Sequence, residues 1–436
     1  MCEKNQFQPS NLAAKTGQKL GEKKPVFGVH LGSIAKSSSL QENQALQPVL
    51  INGKRSAAFV DISTGEIVQD TPEYNPVSVR LERFALQSSV RYLLPDSRTA
   101  KCLRILQANK KEVEVWRSFD HGSACYAGLQ ICSSVWSCPV CAAKISERRR
   151  VELLHAMEQH QANGGYILLL TLTNPHTRTD DLQAMLKAQA LAMSRFNGTK
   201  SAQALWVSIG CIGTVRAWEV THGDNGWHPH FHILLFLTFD LNQRGELLSF
   251  MPHEEMTSRF YAVWANCCRL AKLPIPSEEH GVRLDDGAQA ANYVSKGLWG
   301  LDREMTKGHL KKSKHGRSPF DLLRSYLYDQ DRQAGALFCD YARSFKGKRQ
   351  LVWSKGLKAL FEIKEQTDEE AAAKIEDDAY LLGKIQAEEW LLIRKFNVRG
   401  EVLELARHGW EPVRRFLDSL VFEEKRKVFD ERKCER

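Results

Sequence analysis

Apolar residues follow two different periods along this chain, and the switch between them outlines its elements. A helical period runs from Pro76 to Leu94 and again through KISERRRVELLHAMEQHQ, which Gly164-Gly165 ends. The continuous apolar run YILLLTLT then predicts a buried strand, and Thr179 is expected to cap the helix DDLQAMLKAQALAMSRF. Val207 to Thr221 predicts a long strand, DNGW a turn, and His230 to Phe239 the returning strand. Beyond it, HEEMTSRFYAVWANCCRLA predicts a helix, VRLD a short strand and GAQAANYVSKGLW a further helix. TDEEAAAKIEDDAYLLGKIQAEEWLLIRKF and EVLELARHGWEPVRRFLDSLVF predict a charged helical C-terminal region. Residues 1–70 show little periodicity and read as mostly flexible, with one short hairpin in AAFVDISTGEIVQD. Strands and helices mixed around a clear hairpin predict an α+β fold built on an antiparallel sheet.

The hairpin carries chemistry. In NGWHPHFHILLF, His228, His230 and His232 alternate, so they share one face of a strand. Asn-Gly between two strand patterns signals a two-residue type I′ turn. Centring that turn on Asn225-Gly226 sets His230 opposite Thr221 and His232 opposite Glu219, all on one face. Pro229 lacks the N–H of a ladder, so the regular strand is expected to start at His230, leaving His228 at the rim. Two imidazoles and a carboxylate, His230, His232 and Glu219, suit Mg²⁺ or Mn²⁺ acting on phosphate, without excluding zinc. The bland alternative is a polar cluster on a half-exposed sheet face.

Composition narrows the partners. The 436 residues allow two or three domains, and 43% apolar with 26% charged residues is ordinary for a globular protein. No apolar stretch exceeds core-strand length, and MCEKNQFQPSNLAAKTGQKL lacks the apolar segment of a signal peptide. Neither a membrane partner nor export is expected. Eleven cysteines in that setting argue for reduced thiols or metal binding rather than a disulfide framework. Cys125, Cys132, Cys138 and Cys141 form C-x6-C-x5-C-x2-C, and the final CPVC has zinc-knuckle spacing suited to a structural tetrahedral zinc site. Buried free thiols are the alternative, with His121 or Cys102 as substitute ligands. The following Arg148, Arg149 and Arg150 suit either a DNA backbone or a solvated helix face. The net charge of +9 is concentrated between Leu301 and Lys358, where 14 Lys or Arg meet 6 Asp or Glu. Phe320, Tyr326, Tyr328, Phe345 and Trp353 interleave with those cations, which favours a polyanion with stackable bases over a merely solvated surface.

NYVSKGLW supplies a nucleophile, with Tyr293 and Lys296 one helical turn apart. A phenol with an ordinary pKa of about 10 attacks poorly. A neighbouring ammonium favours its phenolate, while a cation draws charge from the phosphate oxygens.

LLLTLTNPH, WHPHFHILLF and YVSKGL, in that order, resemble the three motifs of HUH endonucleases, and specifically the plasmid rolling-circle replication initiator (Rep) family. CSSVWSCPVCAAKISERRR and GKRQLVWSKGLK are similar to that family too, so the resemblance spans roughly residues 76 to 358. It implies His230 and His232 as ligands of a catalytic divalent cation, Tyr293 as a nucleophile left with a 5′-phosphotyrosyl link, and Lys296 as its electrostatic partner. Glu219 rests on the hairpin register more than on the motif. Thr171 and Thr173 fall in the first motif and read as supports of the strand beside the metal. Some relatives place a glutamate one turn before the tyrosine; here Gln289 stands there, with Asp286 a possible substitute, so hydrolytic termination stays open. No G-x-x-x-x-G-K-[ST] loop occurs, so no fused helicase is expected.

The implied partners are a plasmid's double-strand origin, single-stranded DNA, and a host helicase with other replication proteins, in the bacterial cytoplasm. The expected layout is a flexible region (1–70), a helical and cysteine-rich zinc segment (71–150), an HUH nicking domain (151–300), a basic DNA-contacting segment (301–358) and a helical C-terminal region (359–436). Two other readings stay open: a relaxase or single-tyrosine transposase with the same chemistry, and a non-catalytic zinc protein that binds DNA as a repressor.

Overall fold

The computed structural model describes residues 48–51, 54–60, 67–68, 76–238, 251–285 and 316–434. Tyr293, Lys296, Gln289 and Asp286 lie outside the described residues, as do residues 301–315 of the basic stretch and most of the first 70. The chain divides into two units, Met1–Gln69 and Asp70–Arg436. In the first, β1 (Pro48–Ile51), β2 (Lys54–Val60) and β3 (Ile67–Val68) pair antiparallel, with Phe59 opposite Val68, where a hairpin was predicted.

The second unit begins with α1 (Pro76–Leu93), α2 (Arg98–Lys101), β4 (Glu112–Ser118), β5 (Ala124–Ala127) and α3 (Pro139–Ala162). There follow β6 (Tyr166–Leu172), α4 (Leu182–Gly198), α5 (Lys200–Ser208), β7 (Cys211–Gly223), β8 (Gly226–Leu237), α6 (His253–Leu270), α7 (Glu278–Gly281) and β9 (Val282–Asp285). After the undescribed segment come α8 (Pro319–Tyr328), α9 (Arg332–Ser344), β10 (Leu351–Trp353), α10 (Leu357–Leu360) and α11 (Asp368–Ala373). The chain closes with β11 (Ala379–Gln386), α12 (Ala387–Phe396), α13 (Arg399–Ala406) and α14 (Trp410–Cys434).

Two antiparallel sheets organise this α+β unit. The central one has the order β10-β7-β8-β6-β9, and the second has the order β11-β4-β5. Alternation along β8 sorts the central core into two layers. Phe231, Ile233, Leu235 and Leu237 pack with Phe196 of α4 and Phe260 and Trp264 of α6. Leu234 and Phe236 face the other way, toward Leu153, Ala156 and Met157 of α3. His230 and His232 continue this second face.

Several elements differ from expectation. Asp181, not Thr179, caps α4, accepting from Ala184 N. The stretch from Val207 does not start as a strand: α5, capped by Thr199, runs to Ser208, and β7 begins at Cys211. The cysteine loop region contains β4 and β5, and the helical C-terminal region contains a strand, β11, which pairs along β4 from Gln386↔Glu112 to Ala379↔Ser118. Val113, Val115 and Tyr126 of this sheet are buried with Trp390, Val402 and Leu417 of α12 to α14, so the sheet and the final helices share one core.

Candidate metal centre

The β7–β8 turn is set differently from the expected one. Gly223 pairs with Gly226, leaving Asp224 and Asn225 as the turn, and Gly226 alone there has positive φ, at 85°. A type I′ turn on Asn225-Gly226 needs positive φ at both positions, so the register slides by two residues. Glycine is required at 226 for space as well: a Cβ would stand 3.0 Å from Arg178 Cα. A two-residue slide preserves face parity. Glu219 therefore sits directly opposite His230 rather than His232, which is opposite Ala217, and all three functional groups still point to one side.

Pro229 also lies within β8, paired with Val220. Strand β6 ends at Leu172 opposite Phe231, so beyond it that side of β8 carries no ladder to break. The Pro229 carbonyl instead accepts from the buried Gln189 amide at 2.7 Å. Gln189 also donates to Asn174 (2.6 Å) and accepts from Trp218 Nε1 (3.1 Å), tying the approach to both Glu219 and His230.

On this frame, His232 Nε2 lies 2.8 Å from Glu219 Oε2, His230 Nε2 lies 3.5 Å from that oxygen, and the two Nε2 atoms are 3.2 Å apart. Three ligands on one octahedral face with bonds of about 2.1 Å stand about 3 Å apart, so the set fits a Mg²⁺- or Mn²⁺-sized ion. Both Nδ1 atoms are occupied: His230 Nδ1 is 3.1 Å from His228 O, and His232 Nδ1 is 3.0 Å from Thr171 Oγ1. A ring nitrogen bonded to a carbonyl carries the proton, so a bound cation would displace only the Nε2 proton that otherwise faces Glu219, and Nε2 would be the ligand atom. The imidazole side chains keep 12% and 11% of their surface exposed but Glu219 keeps 40%, so the group opens on its carboxylate side. Desolvation pushes the Glu219 carboxyl up, but hydrogen bonds from His230 and His232 win and hold it well below the usual carboxylate range. For His230, burial opposes the charged form and the Glu219 bond and charge outweigh it, raising its pKa. His228 stays out of the group. Burial, then His230 and His176, hold it down at about 4, and its ring stacks on His176 at 4.7 Å.

Of the two first-motif threonines, Thr171 stands opposite His232 in the β6–β8 register, whereas Thr173 Oγ1 donates to His280 O at 2.7 Å. The basic arginine run is internally tied. Arg148 reaches Lys374 O, Arg149 pairs with Glu152 and Asp368, and Arg150 pairs with Glu147. In the described part of the basic stretch, Phe320 and Phe345 are core residues rather than base-stacking ones. Burial pushes the Tyr328 phenol up, which makes it a poorer nucleophile.

A second group gathers four thiols, and they are not the four expected. Cys102, Cys132, Cys138 and Cys141 converge; Cys125 does not, standing on β5 opposite Trp116, and His121 takes no part. The Sγ separations of 3.5 Å (Cys102–Cys141), 3.7 Å (Cys132–Cys141) and 3.8 Å (Cys102–Cys138) match the edge of about 3.8 Å in a zinc tetrathiolate with 2.3 Å bonds. Cys138 caps α3, Pro139 follows it, and the cap Sγ accepts from Cys141 N, so CPVC sets two thiols on the positive end of a helix. Hydrogen bonds from Cys102, Cys138 and Cys141 pull Cys132 far down, while the same Cys132 contact pushes Cys102 up: one thiolate shared among its neighbours.

Comparison with known sequences decides the family. A model described as replication protein matches residues 126–399, which hold the histidine hairpin and three of the four clustered thiols. The chain belongs to the replication protein family. Among curated relatives, it is 27% identical over 297 residues to the protein rep of Streptomyces lividans, covering 55% of this chain and 65% of that one. It is 30% identical over 198 residues to a neomycin resistance protein of Streptomyces cyanogenus, covering 39% and 45%. The replication protein thus spans under two thirds of the length of each. No solved structure matches it. Among its described residues, no helix is long and apolar enough to cross a membrane.

Proposed function

We propose that this replication protein initiates rolling-circle replication of a plasmid by nicking one strand at the double-strand origin. The observation that carries the reading is the convergence of Glu219, His230 and His232 on the open end of a sheet face, in a chain of this family. A divalent cation held there would supply Lewis-acid polarisation of a phosphodiester, worth several kcal/mol of charge stabilisation. Glu219 keeps its carboxylate ionised as a ligand, and the His230 and His232 rings, each held through Nδ1, would offer Nε2 to the cation once it replaces the proton shared with Glu219. Tyr293 attacks phosphorus through its phenolate oxygen; the bond to the 3′ oxygen breaks, and that oxygen takes a proton as the 3′-hydroxyl. Lys296 favours the phenolate. In the reverse step a 3′-hydroxyl attacks the phosphotyrosyl bond and tyrosine leaves, so rejoining consumes no nucleotide. The thiols Cys102, Cys132, Cys138 and Cys141 would hold a structural zinc that ties the start of α3 to the end of α2. Origin DNA, its single-stranded products and host replication proteins are the partners, in the bacterial cytoplasm.

The test is incubation of the full chain with plasmid DNA carrying the replicon and Mn²⁺, followed by a denaturing gel. A covalent protein–DNA adduct that disappears in His230→Ala and His232→Ala supports the reading. Gel retardation without an adduct supports a repressor, and adducts surviving in both variants remove the cation assignment.

A further inference from the structure

Two buried cations meet at Ser88 without a negative partner, and one of them, Arg399, reaches the four thiols through Gln87. Arg399 is 0% exposed and Arg104 is 5% exposed. Every hydrogen-bond acceptor of Arg399 is neutral: the Gln87 side-chain oxygen (2.7 Å), the Leu103 and Cys102 carbonyls (3.0 and 3.5 Å) and the Ser88 hydroxyl (3.1 Å). Arg104 reaches the same Ser88 hydroxyl at 2.8 Å and the Asn397 side-chain oxygen at 3.2 Å. Two guanidiniums thus share one hydroxyl, and among the described residues no carboxylate pairs with either. Buried unpaired charge is among the most costly arrangements a fold can hold, and like charges in contact make it worse. A compensating anion is therefore expected close by.

The thiols are the anions at hand. The Gln87 amide that accepts from Arg399 donates in turn to Cys138 Sγ at 3.2 Å, so one side chain links guanidinium to sulfur. Metal binding requires thiolates, because the thiol is not the ligand. Four thiolates around one divalent cation carry a net charge of two minus, and the two guanidiniums carry two plus.

We propose that Arg399 and Arg104 are the counter-charges of a fully deprotonated tetrathiolate centre at Cys102, Cys132, Cys138 and Cys141, with Arg399 acting through Gln87. This rests on the zinc reading above. It gives α13 a role at a centre to which it contributes no ligand: metal loading makes the burial of Arg399 favourable and so couples the C-terminal helices to the cysteine segment. Arg399 is a positioning residue, touching no ligand sulfur itself.

The test measures zinc content of the purified full chain and the rate of zinc transfer to a chromophoric chelator. Arg399→Met is expected to release zinc 10- to 100-fold faster, the usual effect of losing a partner behind the ligands. Arg399→Lys, which keeps the charge and loses the fork geometry, is expected within a few-fold of the unaltered protein. Equal release from Arg399→Met and the unaltered protein overturns the proposal. So does an Arg399→Lys protein that loses zinc 10-fold faster or more, since charge would then not be the property that matters; this arm decides alone where Arg399→Met fails to fold. An unaltered protein that holds no zinc or other divalent metal removes the tetrathiolate reading itself, a separate outcome.

Discussion

Replacing Thr171 with valine removes one oxygen from behind His232 and leaves the strand intact, because valine is an equally good strand former. Thr171 Oγ1 lies 3.0 Å from His232 Nδ1, and the two residues are opposite one another across β6 and β8. His232 is 8% exposed, so no solvent takes over the lost bond. Leaving a buried donor unmet costs about 1–3 kcal/mol. A cation on Nε2 requires the proton on Nδ1, where Thr171 Oγ1 would accept it; without that acceptor the ring favours the other tautomer, with its proton on the nitrogen meant for the cation. At about 1.4 kcal/mol per tenfold, the expected loss in Mn²⁺ affinity is roughly 10- to 100-fold. Calorimetric titration of the full chain with Mn²⁺ reads this directly, with thermal unfolding in EDTA as the control for fold. Adduct formation should fall at low Mn²⁺ and recover when the ion is saturating. An unchanged Mn²⁺ affinity in a folded variant refutes the claim that Thr171 fixes the ring.

Cys102→Ser should abolish zinc retention while Cys125→Ser leaves it intact, measured by elemental analysis; the opposite pattern would restore the spacing-based ligand set. Gln189→Leu strands the Trp218 N–H, the Pro229 carbonyl and Asn174, and should destabilise the fold by about 3 kcal/mol in urea unfolding. Neutralising Lys311, Lys312 and Lys314 together should flatten the dependence of log K on log salt for duplex binding by about 1–3 in slope. An unchanged slope would place these lysines in solvent.

The candidate site was more legible in the sequence than the fold around it, for a physical reason. A sheet has a side-chain period of two, so Glu219, His230 and His232 share a face in either turn register, and the misplaced turn changed only which histidine stands opposite the carboxylate. The Gln189 network was not legible, because a polar residue inside an amphipathic helix pattern gives no sign that it bonds a strand carbonyl forty residues away. In the sequence Cys102 is no more than a substitute ligand, because its thirty-residue separation from Cys132 falls outside any knuckle spacing. What brings it in is the pairing of Leu103 N with Gln130 O and of Gln130 N with Ile105 O, a tertiary fact. EVEVWRS does alternate and was readable as a strand. AYLLGKIQ was not, since it sits between helical, charged neighbours and gains its strand form from pairing with β4. Tertiary contact overrode local propensity there.

In the proposed reaction one tyrosine, Tyr293, attacks the strand held at Glu219, His230 and His232. The most direct measurement is peptide mapping of the protein cross-linked to its nicked oligonucleotide in Mn²⁺, beside the same reaction with Tyr293→Phe. DNA is expected on the peptide containing AANYVSK, with no adduct in the variant despite retained binding. DNA on the peptide containing SYLYDQD, or an adduct that survives in Tyr293→Phe, would contradict it.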